Sequence, residues 1–366
     1  MIKRVIISGG GTGGHIFPAL AIADEIKKRN PKAEILFIGA RGRMEMEKIP
    51  QAGYEIIGLP IAGLQRKLTW KNLLLPFKLI RSFYLVFSVI KKFKPELVIG
   101  VGGYASGPTL QMAQLLQIPT LLQEQNSYPG KTNKILAKKA KAICVAYPGM
   151  ERFFPQEKIS FTGNPVRANL AIDLHPLRAE AAGFFGLEKD KPTILIIGGS
   201  LGALTLNESM HAALAAAQEK NLQVLWQCGK SYDAKLQQNS STMPANVKVL
   251  PFIQRMDLAY ALADVIISRA GALSVSELAL VGKPSILVPS PNVAEDHQTK
   301  NALSLVDQQA ALLVKDMDAR AELMQTCFDL LAAADQKQVL SDNLNALGLP
   351  FATQNIVDVC EKVVAE

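Results

Sequence analysis

Three stretches of the sequence combine residue types and spacings that could do chemistry. The first is Gly9-Gly10-Gly11-Thr12-Gly13-Gly14-His15, five glycines in six residues running into a histidine. Glycines at a helix start let backbone N–H groups converge on an oxyanion. An imidazole, which titrates near neutral pH, is equipped for acid–base work at such a place. The second is the turn "IGGSLGA", residues 197–203, shaped to cradle a diphosphate, with Ser200 adding a hydroxyl donor. The third is "SRAGALSVSELALVGKP", residues 268–284. Here Gly271 leads into a helix expected to begin near Ala272, with Ser274 and Ser276 in its first turn and Glu277 just beyond. The start of a helix favours an anionic phosphate, and a carboxylate one turn further in can accept both ribose hydroxyls. The alternative for Glu277 is an ordinary exposed carboxylate near a helix start. A fourth turn, "VGGYASGP" at 101–108, shares the glycine design.

These turns need elements to hold them. Apolar, strand-like runs ("RVIISG", "AEILFIGA", "ELVIGVG", "TLLQEQ", "AICVAY", then "TILIIGG", "LQVLWQCG", "VKVLPF", "DVIISRAG", "PSILVPS") alternate with helical patterns along the chain. That order predicts parallel, doubly wound sheets. Two halves of similar design predict an α/β protein of two Rossmann-like domains, 1–165 and 166–350, joined in the proline-containing stretch 162–176. The amphipathic end, about 351–366, is placed to pack back on the first. Ligands of such sheets lie beyond the carboxyl ends of the strands, so two domains facing across a cleft would suit a transferase.

The 366 residues are 49% hydrophobic and 20% charged, a globular composition. Residues 1–150 hold 22 Lys and Arg against 8 Asp and Glu, while the rest of the chain is net acidic. The first half therefore faces something anionic. Four scattered cysteines form no C-x-x-C pair and read as buried thiols of a reducing compartment. No signal-peptide pattern precedes the first strand. Gly9, Gly11 and Gly14 also satisfy G-x-G-x-x-G, but the second strand-like run ends in Gly39-Ala40-Arg41 with no acidic residue for a nicotinamide ribose. Only an NADP enzyme using Arg41 or Arg43 stays compatible.

The motifs "GGGTGGHIFPALA", "GVGGYASGP", "EQNSYPGKTNK", "TGNPVR", "GGSLGA" and "RAGALSVSELALVGKPSILVP", spread from residue 9 to about 302, together resemble the MurG family. These are the undecaprenyl-diphospho-muramoylpentapeptide β-N-acetylglucosaminyltransferases of bacterial peptidoglycan synthesis. The resemblance implies a GT-B fold, UDP-N-acetylglucosamine as donor and undecaprenyl-linked lipid I as acceptor. It places the donor mainly in the second domain: Ile253 meets the uracil through its backbone and Glu277 binds the ribose. Ser200 and Ala272, Leu273, Ser274, Val275 and Ser276 hold the diphosphate, with Arg167 near the sugar nucleotide. Gln298 and Asn126 touch the sugar, and Thr12, Gly13 and Gly14 close the site from the first domain. Gln123 stands where many members carry histidine before Glu-Gln-Asn, so no role of that histidine carries over. The loop "SPNVAEDHQTKN" around Gln298 also departs from the family pattern.

The implied reaction is an inverting displacement in which the C4 hydroxyl of N-acetylmuramic acid attacks the anomeric carbon and UDP leaves. It calls for a base, His15 with Glu124 as the second candidate, and positive charge at the departing diphosphate, with no metal or cofactor. The alternative for His15 is to orient the acceptor or the donor phosphate by hydrogen bonding. Asp316-Met317-Asp318 reads as a solvated turn. Rival readings are a UDP-N-acetylglucosamine 2-epimerase, a nicotinamide oxidoreductase and a non-catalytic UDP-sugar or lipid binder. Residues 66–94 hold eight basic residues, no acidic one and many large apolar side chains, among them Trp70, Leu73, Leu74, Leu75 and Phe77. Their charge-free stretch is far short of the ~20 residues that span a bilayer. The expected location is the cytoplasmic face of the membrane, peripherally bound to anionic lipid, with cell-wall synthesis or division proteins as partners and no nucleic acid.

Overall fold

A computed structural model describes residues 1–61, 75–166, 170, 173–199, 202–238 and 243–366. The chain divides into two compact units, one of Met1–Val166 with Phe351–Glu366, the other of Arg167–Pro350. Arg167 and Ser200 lie outside the described residues, as do Trp70, Lys71, Leu73 and Leu74.

The first unit is built on β1 (Arg4–Ser8), β2 (Glu34–Ala40), β3 (Glu55–Leu59), β4 (Leu97–Gly100), β5 (Thr120–Glu124), β6 (Ala142–Val145) and β7 (Ile159–Phe161). They form one parallel sheet in the order β3-β2-β1-β4-β5-β6-β7. Because helices cover both faces, the strands are apolar throughout rather than alternating. Val5 and Ile7 enter the core on one face and Ile6 the core on the other. The C-terminal helix Ala352–Ala365 completes the first of these cores, its Ile356, Val357, Cys360 and Val363 joining Ile16, Ile22 and Ile26 of the helix Gly13–Arg29. Arg29 clamps the two helices through Asp358 at 2.6 Å, Glu361 at 3.1 Å and the Gln354 carbonyl at 3.0 Å.

The second unit carries β8 (Thr193–Ile197), β9 (Gln223–Gln227), β10 (Val247–Leu250), β11 (Val265–Ser268), β12 (Ser285–Leu287) and β13 (Leu312–Leu313). Their order is β10-β9-β8-β11-β12-β13, again all parallel. Each sheet reverses its strand order once, between β1 and β4 and between β8 and β11. Ligands of doubly wound sheets bind at that switch, outside the carboxyl ends of the strands. The glycine turns after β1 and β4, and those after β8 and β11, are the ones the sequence singles out.

Candidate active site

In the first unit the chain leaves β1 through Gly9–Gly11 and enters the helix Gly13–Arg29, with Thr12 as its extended N-cap. The Thr12 side chain makes no capping bond, and Gly13 and Gly14 form the opening turn. His15 sits on that turn, half-buried, and its Nδ1–H donates to the Gly10 carbonyl at 3.0 Å. A carbonyl only accepts, so this contact puts the imidazole proton on Nδ1 and the lone pair on Nε2. The ring lies against the turn after β4, where a Cβ on Gly102 would stand 2.8 Å from Nε2. The two glycine turns at the switch are thus packed about this imidazole.

Glu124 ends β5 and is 2% exposed. Its Oε1 accepts from the Asn126 N–H at 3.1 Å and from Asn126 Nδ2 at 3.2 Å. Its Oε2 accepts from the Gly130 N–H at 3.2 Å and from Asn133 Nδ2 at 2.9 Å. Burial pushes this carboxyl above its ordinary range while those donors pull it back. Both oxygens are thus committed to folding the loop 125–130, which Glu124 frames. Glu124→Gln should set an amide NH2 against N–H donors and lower stability by about 1–3 kcal/mol, read as a lower unfolding midpoint. Loss of turnover with an unchanged midpoint would instead make Glu124 the base. Beneath it, Gln123 is fully buried and donates to Asn164 at 3.1 Å, so the departure from the family pattern is an interior amide.

In the second unit the helix Ala272–Val281 starts at Gly271, also without a side-chain cap. The N–H groups of Ala272, Leu273 and Ser274 precede the first helical bond, which Val275 makes to the Gly271 carbonyl at 2.9 Å. Val275 also turns its side chain into the core, and the Ser276 hydroxyl donates to the Ala272 carbonyl at 3.1 Å. Glu277 is 8% exposed, and the Tyr260 hydroxyl donates to its Oε2 at 3.0 Å. The alternative of an exposed helix-start carboxylate is therefore corrected: core packing around Tyr260 and Leu278 draws Glu277 inward.

Gln227, at the end of β9, carries no signal in the sequence, yet it ties the 197–203 turn to Ile253. Its Nε2 donates to the Gly199 carbonyl at 3.0 Å and its Oε1 accepts from the Ile253 N–H at 2.9 Å. A base met by Ile253 is therefore met by its carbonyl. Gln298 has its Oε1 on the Ser290 N–H at 2.8 Å, so a sugar contact from it must come from Nε2. Residues 316–318 form the expected turn, with Met317 81% exposed, but the Asp316 side chain is drawn into contacts. Its Oδ1 pairs with Arg269 at 2.5 Å and its Oδ2 accepts from Thr205 at 3.2 Å. Arg269 also donates to the Val288 carbonyl at 3.0 Å, so it staples the ends of β11, β12 and β13 around the helix start at Gly271. None of the cysteines offers a thiolate, since burial pushes Cys144 and Cys327 up to about 12 and Cys228 up to about 11.

Two doubly wound units, each with glycine turns at its switch point, are the architecture of the GT-B fold class. Residues 5–145 match the glycosyltransferase family 28 N-terminal domain and residues 193–355 its C-terminal domain. A Bacteroides thetaiotaomicron protein is 56% identical over 96% of this chain and 95% of its own length. One from Cytophaga hutchinsonii is 55% identical over 99% of this chain and 97% of its own. Both are named UDP-N-acetylglucosamine--N-acetylmuramyl-(pentapeptide) pyrophosphoryl-undecaprenol N-acetylglucosamine transferase. The crystal structure of Acinetobacter baumannii MurG matches with a TM-score of 0.77 at 33% identity, covering 98% of this chain and 99% of that one. The chain belongs to glycosyltransferase family 28 and, within it, to the MurG family.

Proposed function

We propose that the protein transfers N-acetylglucosamine from UDP-N-acetylglucosamine to the C4 hydroxyl of N-acetylmuramic acid in lipid I, giving lipid II. The observation that carries this reading is the second unit's switch point. There, uncapped N–H groups of Ala272, Leu273 and Ser274 lie one helical turn from the buried Glu277, the spacing of a diphosphate from its ribose. The N–H groups take up negative charge as the diphosphate departs, with Arg167 and Ser200 assigned to the same task by their motifs. The C4 oxygen forms its bond to the anomeric carbon, the bond from that carbon to the diphosphate breaks, and UDP leaves with the electron pair. The hydroxyl proton goes to His15 Nε2. UDP release measured with and without a short-chain lipid I analogue tests the reading. Release that depends on the acceptor supports transfer, and turnover of donor alone to a 2-epimer contradicts it.

The acceptor's lipid chain places the enzyme at the cytoplasmic membrane surface, and the helix Leu75–Phe93 supports such docking. Phe77, Ile80, Tyr84 and Phe87 follow one another at helical spacing and are all exposed, 72%, 67%, 74% and 39%. Lys78, Arg81, Lys91 and Lys92 accompany them on the same helix. No helix among the described residues is long and apolar enough to cross a membrane. An apolar stripe with basic neighbours suits the interface of an anionic leaflet, where each basic residue contributes about 1 kcal/mol. Charge reversal of Lys78 and Arg81 should weaken co-sedimentation with anionic vesicles at least roughly 30-fold and spare activity on a soluble acceptor. Binding that ignored both salt and these changes would overturn the docking surface.

A further inference from the structure

Glu45 is a charged side chain with no assigned task, and it is 1% exposed. It opens the short helix Glu45–Gln51, and its carboxylate reaches back under the first glycine turn. Its Oε2 accepts from the Gly11 N–H at 2.8 Å and its Oε1 from the Ala40 N–H at 3.0 Å. The carboxylate occupies the space that a side chain on Gly10 would need, since a Cβ there would stand 2.3 Å from its Oε1.

The Gly11 N–H and the Gly10 carbonyl belong to one peptide group. On one side that group donates to Glu45, and on the other it accepts the Nδ1–H of His15. We propose that Glu45 is a positioning residue for His15, acting through the Gly10–Gly11 peptide. A carboxylate on the N–H end polarises the amide, and hydrogen bonds in such a chain strengthen one another. The carbonyl becomes a better acceptor, holds the proton on Nδ1 and presents Nε2 with its lone pair. A carboxylate that orients an imidazole usually does so by direct contact; here one peptide group is interposed. The same contact takes the Gly11 N–H away from any external anion.

The inference rests on the reading of His15 as base, and its test separates the two. Long-range proton–nitrogen correlation spectra of the histidine side chains, with His15 assigned by its disappearance in His15→Ala, report the tautomer directly. The native protein should show His15 as the Nδ1–H form. Glu45→Gln offers one acceptor and one NH2 group to two N–H donors, so it should shift His15 toward the other tautomer. It should lower kcat roughly 10- to 100-fold, the usual cost of losing a group that orients an imidazole, with donor KM nearly unchanged. In a His15→Ala background the same change should cost no further kcat, because both act through one group. An Nε2–H tautomer in the native protein overturns the proposal without any variant. So does a tautomer indifferent to Glu45→Gln, or a loss that adds fully to that of His15→Ala. Full turnover in His15→Ala alone would remove the base assignment, while the tautomer shift would still show Glu45 positioning the ring.

Discussion

Replacing His15 with alanine should lower kcat by roughly 10²–10⁴-fold, the contribution of a positioned base, and leave UDP affinity within about a factor of two. The effect falls on kcat because proton removal from the attacking hydroxyl belongs to the transition state. His15 sits on the first unit, on a turn fixed by the Gly10 carbonyl and the Gly102 backbone. The groups assigned to UDP lie on the second, so binding and chemistry should separate. Rapid-quench turnover and calorimetric UDP titration of the same preparation check this. Retained kcat would mean His15 is neither base nor essential orienter, and a collapse of UDP affinity would move it into the donor site.

Glu277→Ala should act in the opposite way, weakening UDP-N-acetylglucosamine binding and sparing the acceptor KM. A charge-assisted hydrogen bond is worth ~1.5–3 kcal/mol, which corresponds to a loss of roughly 10- to 100-fold. Glu277 is buried and held by the Tyr260 hydroxyl, so part of any loss could come from leaving that hydroxyl without its acceptor. Glu277→Gln separates the two causes. It keeps the volume and an oxygen for Tyr260 but removes the charge, so donor affinity should still fall while the unfolding midpoint holds. Unchanged donor affinity in both variants would take Glu277 out of the site.

The strands at each switch point were legible because burial on both faces demands continuous apolar runs, as in Val5-Ile6-Ile7 and Ile194-Leu195-Ile196. The edge strand β7 was not, being three residues long, too short for any periodicity. Nor was β3, whose first three residues are only partly buried or exposed. The helix start at Ala272 was legible from Gly271 and the serines that follow. The groups that brace the site escaped notice because their meaning lies in partners remote in sequence. Glu45 looks like one more charge in "RGRMEMEK" until the fold carries it to Gly11, 34 residues away. Asp316 looks solvated until Arg269, 47 residues away, closes on it. Gln227 is an unremarked amide at a strand end until Gly199 and Ile253 meet on it.

Proton NMR of the product formed from UDP-N-acetylglucosamine and a short-chain lipid I analogue tests the central claim most directly. The account predicts an N-acetylglucosamine residue joined to C4 of N-acetylmuramic acid, its anomeric proton showing the large diaxial coupling of a β linkage, inverted from the α-linked donor. An α-linked disaccharide, a linkage to another hydroxyl, or an epimerised donor sugar with the acceptor untouched would contradict it.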